Sequence, residues 1–383
     1  MYFLIIALIV ATAGSAVTIK TLIGYSPINA WLKVLISFLI ILGWTAPLYS
    51  RFLRKAYAFL GDSYPYISNA IYILFGFVFI LFILLVFRDF VWFLGWHLSR
   101  IWTDSDCLNP RNSIYIGKAN LIVVCISVVA TVWAVWEGTK IPHIKTITIE
   151  NPHIDKEYRF VMLSDLHITR SIPQARISKI VAKTNKLKPD AVFLVGDIID
   201  DRTKYIGSQL EELKELKAPL GIYAVSGNHE LYNGLNLWQR NFKRLGIKVL
   251  INDGIRLKDS KVFVAGIPDL NTAFSPYFRI NFAQAFQKSR NNDYKILLSH
   301  YPNLSEYPNR KYDLQLSGHT HGGQIFPFHY LSWQANKYLA GLYDVESYKL
   351  YVSRGAGYWG PPMRLFAPSE ITEIILKPTK KSS

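Results

Sequence analysis

Four long stretches of this chain, residues 1–19, 34–50, 63–87 and 119–136, contain no charged side chain. A helix needs about 20 apolar residues to cross a hydrocarbon core of about 30 Å, and backbone in that core must satisfy its own hydrogen bonds. The stretches therefore predict a four-span transmembrane helical region. Trp31, Trp44, Tyr49, Trp92, Trp96, Trp133 and Trp136 fall near the expected span ends, where amphipathic rings meet headgroups. A cleavable leader is the rival for the first stretch, given Ala11, Ala13, Ser15 and Ala16, but no Lys or Arg precedes the apolar run. Arg88 and Asp89, just after the third stretch, are read as marking a span end rather than a polar pathway.

The remainder is a different kind of sequence. Residues 1–140 hold 5 acidic and 10 basic side chains, whereas 141–383 hold 22 and 33, so the boundary is set near Ile141. About 240 residues is ample for a domain with its own core. Cys107 and Cys125 both lie in the apolar part, which excludes a disulfide framework or a cysteine-zinc site from the rest. The net charge of +16 suits an anionic lipid surface, nucleic acid or an acidic substrate; with spans in the chain, membrane lipids are the plainest partner. Basic residues after the second stretch (Arg51, Arg54, Lys55) and after the fourth (Lys140, Lys145, Lys156, Arg159) outweigh Lys20, Arg100, Arg111 and Lys118. That modest asymmetry predicts an integral membrane protein of a bacterial inner or plasma membrane with its second half cytoplasmic.

From Ile144 onward, short β-branched runs alternate with polar helical stretches and Gly or Pro turns, the texture of an α/β domain. Strands are expected at 160–163, 191–195, 221–225, 262–265, 295–298, 314–316 and 351–352, with a helix over 172–187. Metal-competent groups recur where these runs stop: Asp165 and His167, Asp197, Asn228 and His229, His300, then His319 and His321. Carboxyl ends of strands in an open α/β sheet converge on one crevice, so residues distant in sequence become neighbours there. Gly196, Gly227 and Gly318 each precede such a group and permit tight turns. A mixture of carboxylate, imidazole and amide oxygen suits Mn²⁺, Fe²⁺ or Zn²⁺, and even seven of these eight groups as ligands overfill one ion. Taken singly, an Asp-x-His or a Gly-Asp after a strand is ordinary turn chemistry.

Together, Asp165-Leu166-His167, Gly196-Asp197, Gly227-Asn228-His229-Glu230, Ser299-His300 and Gly318-His319-Thr320-His321 resemble, in order, the motifs of the calcineurin-like metallophosphoesterases. The resemblance implies a four-layer α/β/β/α sandwich over 141–383 following the membrane region of 1–140. It implies Asp165, His167, Asp197 and His321 around one divalent metal ion and Asp197, Asn228, His300 and His319 around a second. A hydroxide bridging the two would be the nucleophile, and His229, a non-ligand, would assist the leaving oxygen. The segments 322–327 and 353–362 resemble a branch of small bacterial phosphodiesterases, some related to UDP-2,3-diacylglucosamine hydrolases. The expected activity is hydrolysis of a phosphodiester or phosphomonoester, diester preferred, lipid-linked or nucleotide. A membrane phosphate or nucleotide sensor that binds without turnover, and a transporter regulated by the second half, are the rivals. Nucleic-acid cleavage fits the charge but not the membrane attachment.

Other residues stand aside from this set. Arg354 suits a phosphate oxygen or a domain carboxylate equally. The aromatic segment 326–343 is read as ordinary packing before a substrate groove or a bilayer contact. Asp200, Asp201 and Glu230 are balanced between orienting imidazoles and a solvated acidic face. His97, His143, His153 and His329 have no comparable context.

Overall fold

Continuous apolar sequence becomes continuous helix in the first part of the chain: α1 (Tyr2–Ile23), α2 (Ala30–Trp44), α3 (Ala46–Leu60), α4 (Tyr64–Trp102) and α5 (Ser113–Thr139). The computed structural model describes residues 2–379 apart from 25, 27, 103–112, 271–278, 308–310 and 346. Cys107, Arg111 and residues 380–383 lie outside the described residues. The chain divides into two units, Met1–Trp136 with Gly360–Met363 and Glu137–Trp359 with Arg364–Ser383.

Among the described residues, three helices of the first unit, not four, are long and apolar enough to cross a membrane: Leu4–Ile23, Gly61–Ile101 and Tyr115–Thr139. The expected second span, 34–50, breaks at Thr45. Pro47 stands in the first turn of α3. It has no N–H to donate to the Gly43 carbonyl, and its ring crowds that carbonyl, so the helix restarts rather than continues. Thr45 Oγ1 instead donates to the Ile41 carbonyl at 2.7 Å. The 15 residues of α2 reach about 22 Å at 1.5 Å per residue, short of the hydrocarbon core. Arg51, Arg54 and Lys55 fall on α3. The helix also does not stop at Arg88 and Asp89; α4 runs 39 residues, through both. Arg88 donates to Asn120 of α5, whose amide donates to the Leu22 carbonyl of α1 at 2.6 Å, so this charge is partnered among the helices. Close packing rests on small residues: a side chain at Gly14 would collide with the Trp44 ring, which also meets Phe75, Phe79 and Phe82 edge-on.

The second unit is built on two mixed sheets. The first contains β1 (His143–Asn151), β2 (Tyr158–Leu163), β3 (Ala191–Val195), β4 (Ile222–Val225), β5 (Lys248–Val249) and β12 (Glu370–Pro378), in the spatial order β1-β12-β2-β3-β4-β5. The second contains β6 (Asp253–Arg256), β7 (Val262–Gly266), β8 (Tyr294–Leu298), β9 (Leu314–Ser317), β10 (Gly341–Val345) and β11 (Tyr348–Val352), in the order β10-β11-β9-β8-β7-β6. β2, β3 and β4 run parallel as neighbours, as do β8 and β9, so the five strands whose ends carry metal-competent groups point each set one way.

Apolar runs drive this arrangement. Phe160, Met162, Phe193 and Val195 of the first sheet share one buried cluster with Val264, Ile296, Leu298 and Leu316 of the second. On α6 (Gln174–Lys186), Ile177, Ile180, Val181 and Thr184 are buried at the i, i+3, i+4, i+7 spacing of an amphipathic helix. Leu235, Trp238 and Phe242 do the same on α9 (Leu235–Arg244), and both helices join a cluster with Val161, Val192 and Ala224 of the first sheet. All seven expected strands form, with ends shifted by at most a few residues. β1 and β12 had no counterpart in the expectations: only Ile147 and Ile149 of β1 are buried, and β12 buries two carboxylates, Glu370 and Glu373. Glu370 accepts from the Tyr351 hydroxyl at 2.6 Å and from Arg354 at 3.2 Å.

Candidate metal centre

Each candidate residue follows the carboxyl end of a strand by two to four positions. Asp165 and His167 follow β2, Asp197 follows β3, Asn228 opens α8 (Asn228–Asn233) after β4, His300 follows β8, and His319 and His321 follow β9. Five of them, Asp165, His167, Asp197, His319 and His321, have left-handed backbone with φ between 45° and 72°. L residues reach that region at a cost of about 1 kcal/mol or more, and such strain persists where surrounding structure enforces it. Here the enforcement is visible. Asp165 N–H donates to the Gly196 carbonyl at 3.1 Å and His167 N–H to the Asp197 carbonyl at 3.0 Å, tying the β2 and β3 turns together. Gly227 and Gly318 let other turns press in: a Cβ at Gly227 would strike the Asp197 carboxylate, and one at Gly318 would strike Ser164 and Asp165.

The side chains converge. Asp165, His167 and His321 offer donor atoms within 4.8 Å of one another, as do His167, Asp197 and His229, and Asp197, His300 and His319. His167 Nε2 and His321 Nε2 face each other at 3.0 Å, and His321 Nε2 lies 3.4 Å from Asp165 Oδ1. His300 Nε2 is 3.1 Å from Asp197 Oδ2, without an aligned hydrogen bond, while its Nδ1 is fixed 2.9 Å from the Val195 carbonyl. Asn228 Oδ1 is buried with no hydrogen-bond partner, a costly condition for an amide oxygen. Opposed imidazole nitrogens and a bare amide oxygen around carboxylates are what a site for divalent ions requires. The donor set thus fits the metal that the sequence implies.

Electrostatics agree. Burial pushes the His319 imidazole down to about 3, and burial with the His167 ring close by holds His321 well below its usual range. Both are neutral, the form in which an imidazole can serve as a ligand. Burial raises the Asp165 carboxyl; at Asp197 burial acts the same way, but the His300 imidazole beside it holds the carboxyl well below the carboxylate range.

Three groups outside the expected ligand set hold the centre in shape. Asp200 Oδ1 lies 2.6 Å from His229 Nδ1, and its other oxygen is 3.8 Å from His167 Nδ1. Burial works against the charged His229 ring, yet Asp200 and Asp197 raise it to about 9. Glu230, fully buried, accepts from the backbone N–H groups of Asp197, Ile198, Ile199 and Gly227 at 2.6 to 3.0 Å. Burial lifts its carboxyl to about 7. Arg364, also fully buried, donates to the His321, Gly357, Ala367 and Arg354 carbonyls at 2.7 to 3.1 Å and sets Nη2 3.3 Å from His321 Nδ1. Nothing in its local sequence announced this role. Asp201 pairs with Arg170 at 2.6 Å, and Arg354 pairs with Glu370 rather than standing free for a ligand. His329 joins none of the donor groups. Around His229 stand two exposed rings, Tyr232 at 5.5 Å and Trp359 at 5.9 Å between centroids; Gln324 clamps Trp359 through both its backbone N–H and its carbonyl.

Residues 158–323 match the profile of the family described as calcineurin-like phosphoesterase. A metallophosphoesterase of Campylobacter jejuni is 35% identical over 263 residues, covering 68% of this chain and 70% of that one. The chain belongs to the calcineurin-like metallophosphoesterases. A second bacterial member, from Helicobacter pylori, is 35% identical over 250 residues, 64% of this phosphoesterase and 67% of its own length. The phosphoesterase is also similar to a Danio rerio relative described as a transmembrane protein with metallophosphoesterase domain, 30% identical over 275 residues, 68% of this chain and 63% of that one.

Proposed function

We propose that this protein is a membrane-anchored phosphoesterase that uses two divalent ions, Mn, Fe or Zn, to hydrolyse a phosphate ester. The observation that carries the reading is the position of Asp197, whose carboxylate belongs both to the donor group with His167 and to the group with His300 and His319. Asp165, His167, Asp197 and His321 would hold one ion, and Asp197, Asn228, His300 and His319 the other. Bound there, two such ions supply charge to hold the phosphoryl oxygens and acidify a water for in-line attack. The chain's own part is positional. Glu230 fixes the Asp197 turn through three consecutive N–H groups, and the His229 N–H donates to Asp197 Oδ1 at 2.9 Å. Asp200 keeps the His229 ring protonated at neutral pH, the form that delivers a proton to a leaving oxygen.

We take residues 141–383 as the catalytic domain, a four-layer α/β/β/α sandwich, and 1–140 as the membrane region. Support for a diester substrate is the resemblance of 322–327 and 353–362 to small bacterial phosphodiesterases; support for a lipid-linked one is the tether, which raises the local concentration of membrane lipids. Lys140, Lys145, Lys156 and Arg159 after α5 favour a cytoplasmic position on a bacterial inner or plasma membrane. The test is hydrolysis of p-nitrophenyl phosphate and bis(p-nitrophenyl) phosphate by the purified full chain with Mn²⁺, after chelation, and in Asp197→Ala. Metal-dependent turnover, faster on the diester and absent from the variant, is expected. Wild type that holds two ions and cleaves neither would move a phosphate sensor ahead of this reading.

A further inference from the structure

One helix of the second unit is built inside out. In α11 (Phe328–Asn336), Ser332 Oγ donates inward to the Thr320 carbonyl at 3.3 Å, and buried Asn336 donates to the Ser332 carbonyl at 2.9 Å. Phe328, Tyr330, Leu331 and Trp333 stay exposed, the last three by 58 to 67%. A water-facing helix has the reverse pattern. Phe326 extends the patch, with the Tyr330 ring 6.2 Å away and the Phe366 ring 6.0 Å away, and Phe366 is 72% exposed. An apolar patch this contiguous marks an interaction surface.

Its chemistry selects the occupant. Trp, Tyr and Phe together are the side chains that settle at the boundary between headgroups and acyl chains. Among the described residues the same polypeptide carries three helices long and apolar enough to cross a membrane, so a bilayer is always within reach, and its net charge of +16 complements anionic headgroups. Exposed Lys337 follows the helix directly. The patch is also coupled to the centre: Thr320, which α11 contacts, lies between His319 and His321, and its hydroxyl donates to the Leu339 carbonyl at 2.6 Å.

We propose that α11 with Phe326 and Phe366 rests the second unit on the lipid boundary layer, and that this layer supplies the phosphate ester. The second half of that statement rests on the proposed function above. The experiment uses the full chain in nanodiscs of phosphatidylcholine and phosphatidylglycerol, with Cys107→Ser and Cys125→Ser. An environment-sensitive fluorophore is attached at Tyr330→Cys or, for reference, at Lys243→Cys on α9. Lipids brominated in their acyl chains quench the label at 330 and leave the one at 243 unchanged. A label at 330 that ignores bromination, or that self-quenches as protein is concentrated and so reports a second copy, overturns the docking. In a second arm, Phe328→Ser, Tyr330→Ser, Leu331→Ser and Trp333→Ser are combined. Turnover of a vesicle-embedded phosphatidyl phosphodiester falls tenfold or more, while soluble bis(p-nitrophenyl) phosphate is cleaved at the wild-type rate. Equal loss on both substrates overturns the supply of substrate from the lipid layer. A wild type inactive on both, with the label at 330 still quenched, fails the hydrolase reading and leaves the docking standing.

Discussion

The two units turn the same residue types in opposite directions. In the first, Ile6, Phe59 and Val129 are 61%, 93% and 69% exposed, whereas in the second Phe160, Phe193 and Ile296 are fully buried. Exposed apolar surface on that scale is tolerable only against lipid, and buried apolar surface is favoured only against water. The molecule therefore answers to two solvents, and polar chemistry is concentrated where water is the surrounding one. Within the watery unit, the metal-competent centre gathers Asp165, His167, Asp197, Asn228, His300 and His321, all of them buried.

Five changes break or sharpen that contrast. His229→Ala acts only on the chemistry: kcat drops by about 10²–10⁴-fold, with bound metal, measured by mass spectrometry, unchanged. Glu230→Ala strands four buried N–H groups and costs about 3–4 kcal/mol; calorimetry should show the second unit melting about 10 °C lower. Val129→Asp, exposed on α5, places a charge near mid-span and costs about 3 kcal/mol, read as reduced membrane insertion. Leu237→Asp, 42% exposed on α9, stays within about 0.5 kcal/mol in the same thermal assay; equal penalties at the two sites would erase the distinction between solvents. Asp200→Asn lowers kcat about tenfold. Because Asp200 raises His229 to about 9, its loss lets the ring deprotonate at lower pH, and the alkaline limb of the rate profile moves down.

The convergence of the metal-competent side chains is legible in the sequence because each follows an apolar run by two to four residues, and parallel strands bring such ends together. What supports them is not. Glu230 is indistinguishable from a solvated acid until the Asp197–Ile199 N–H groups, more than 30 residues upstream, are seen turned toward it. Arg364 takes its partners from the His321 turn, the 354–357 loop and Ala367, which no local pattern encodes. Pro47 is the sequence signal for the break at Thr45, and it lies within 34–50, a stretch that carries no charge to mark an end. The aromatic segment after His321 reads as core because periodicity reports that residues are apolar without saying which way the helix faces.

The placement of β12 between β1 and β2 imposes a schedule on biosynthesis. β1 pairs along its full length with a strand that begins at Glu370, and β2 takes the other edge of that same strand. During synthesis at about 5–20 residues per second, the helices up to Thr139 leave the ribosome tens of seconds before Glu370 does. Throughout that interval the first sheet has a gap beside β2, with unpaired edges facing it. A nascent chain stalled or terminated after His321 but before Glu370 would carry every metal-competent residue and still be unable to close the sheet that holds them, which makes it a natural client for chaperones and quality-control proteases.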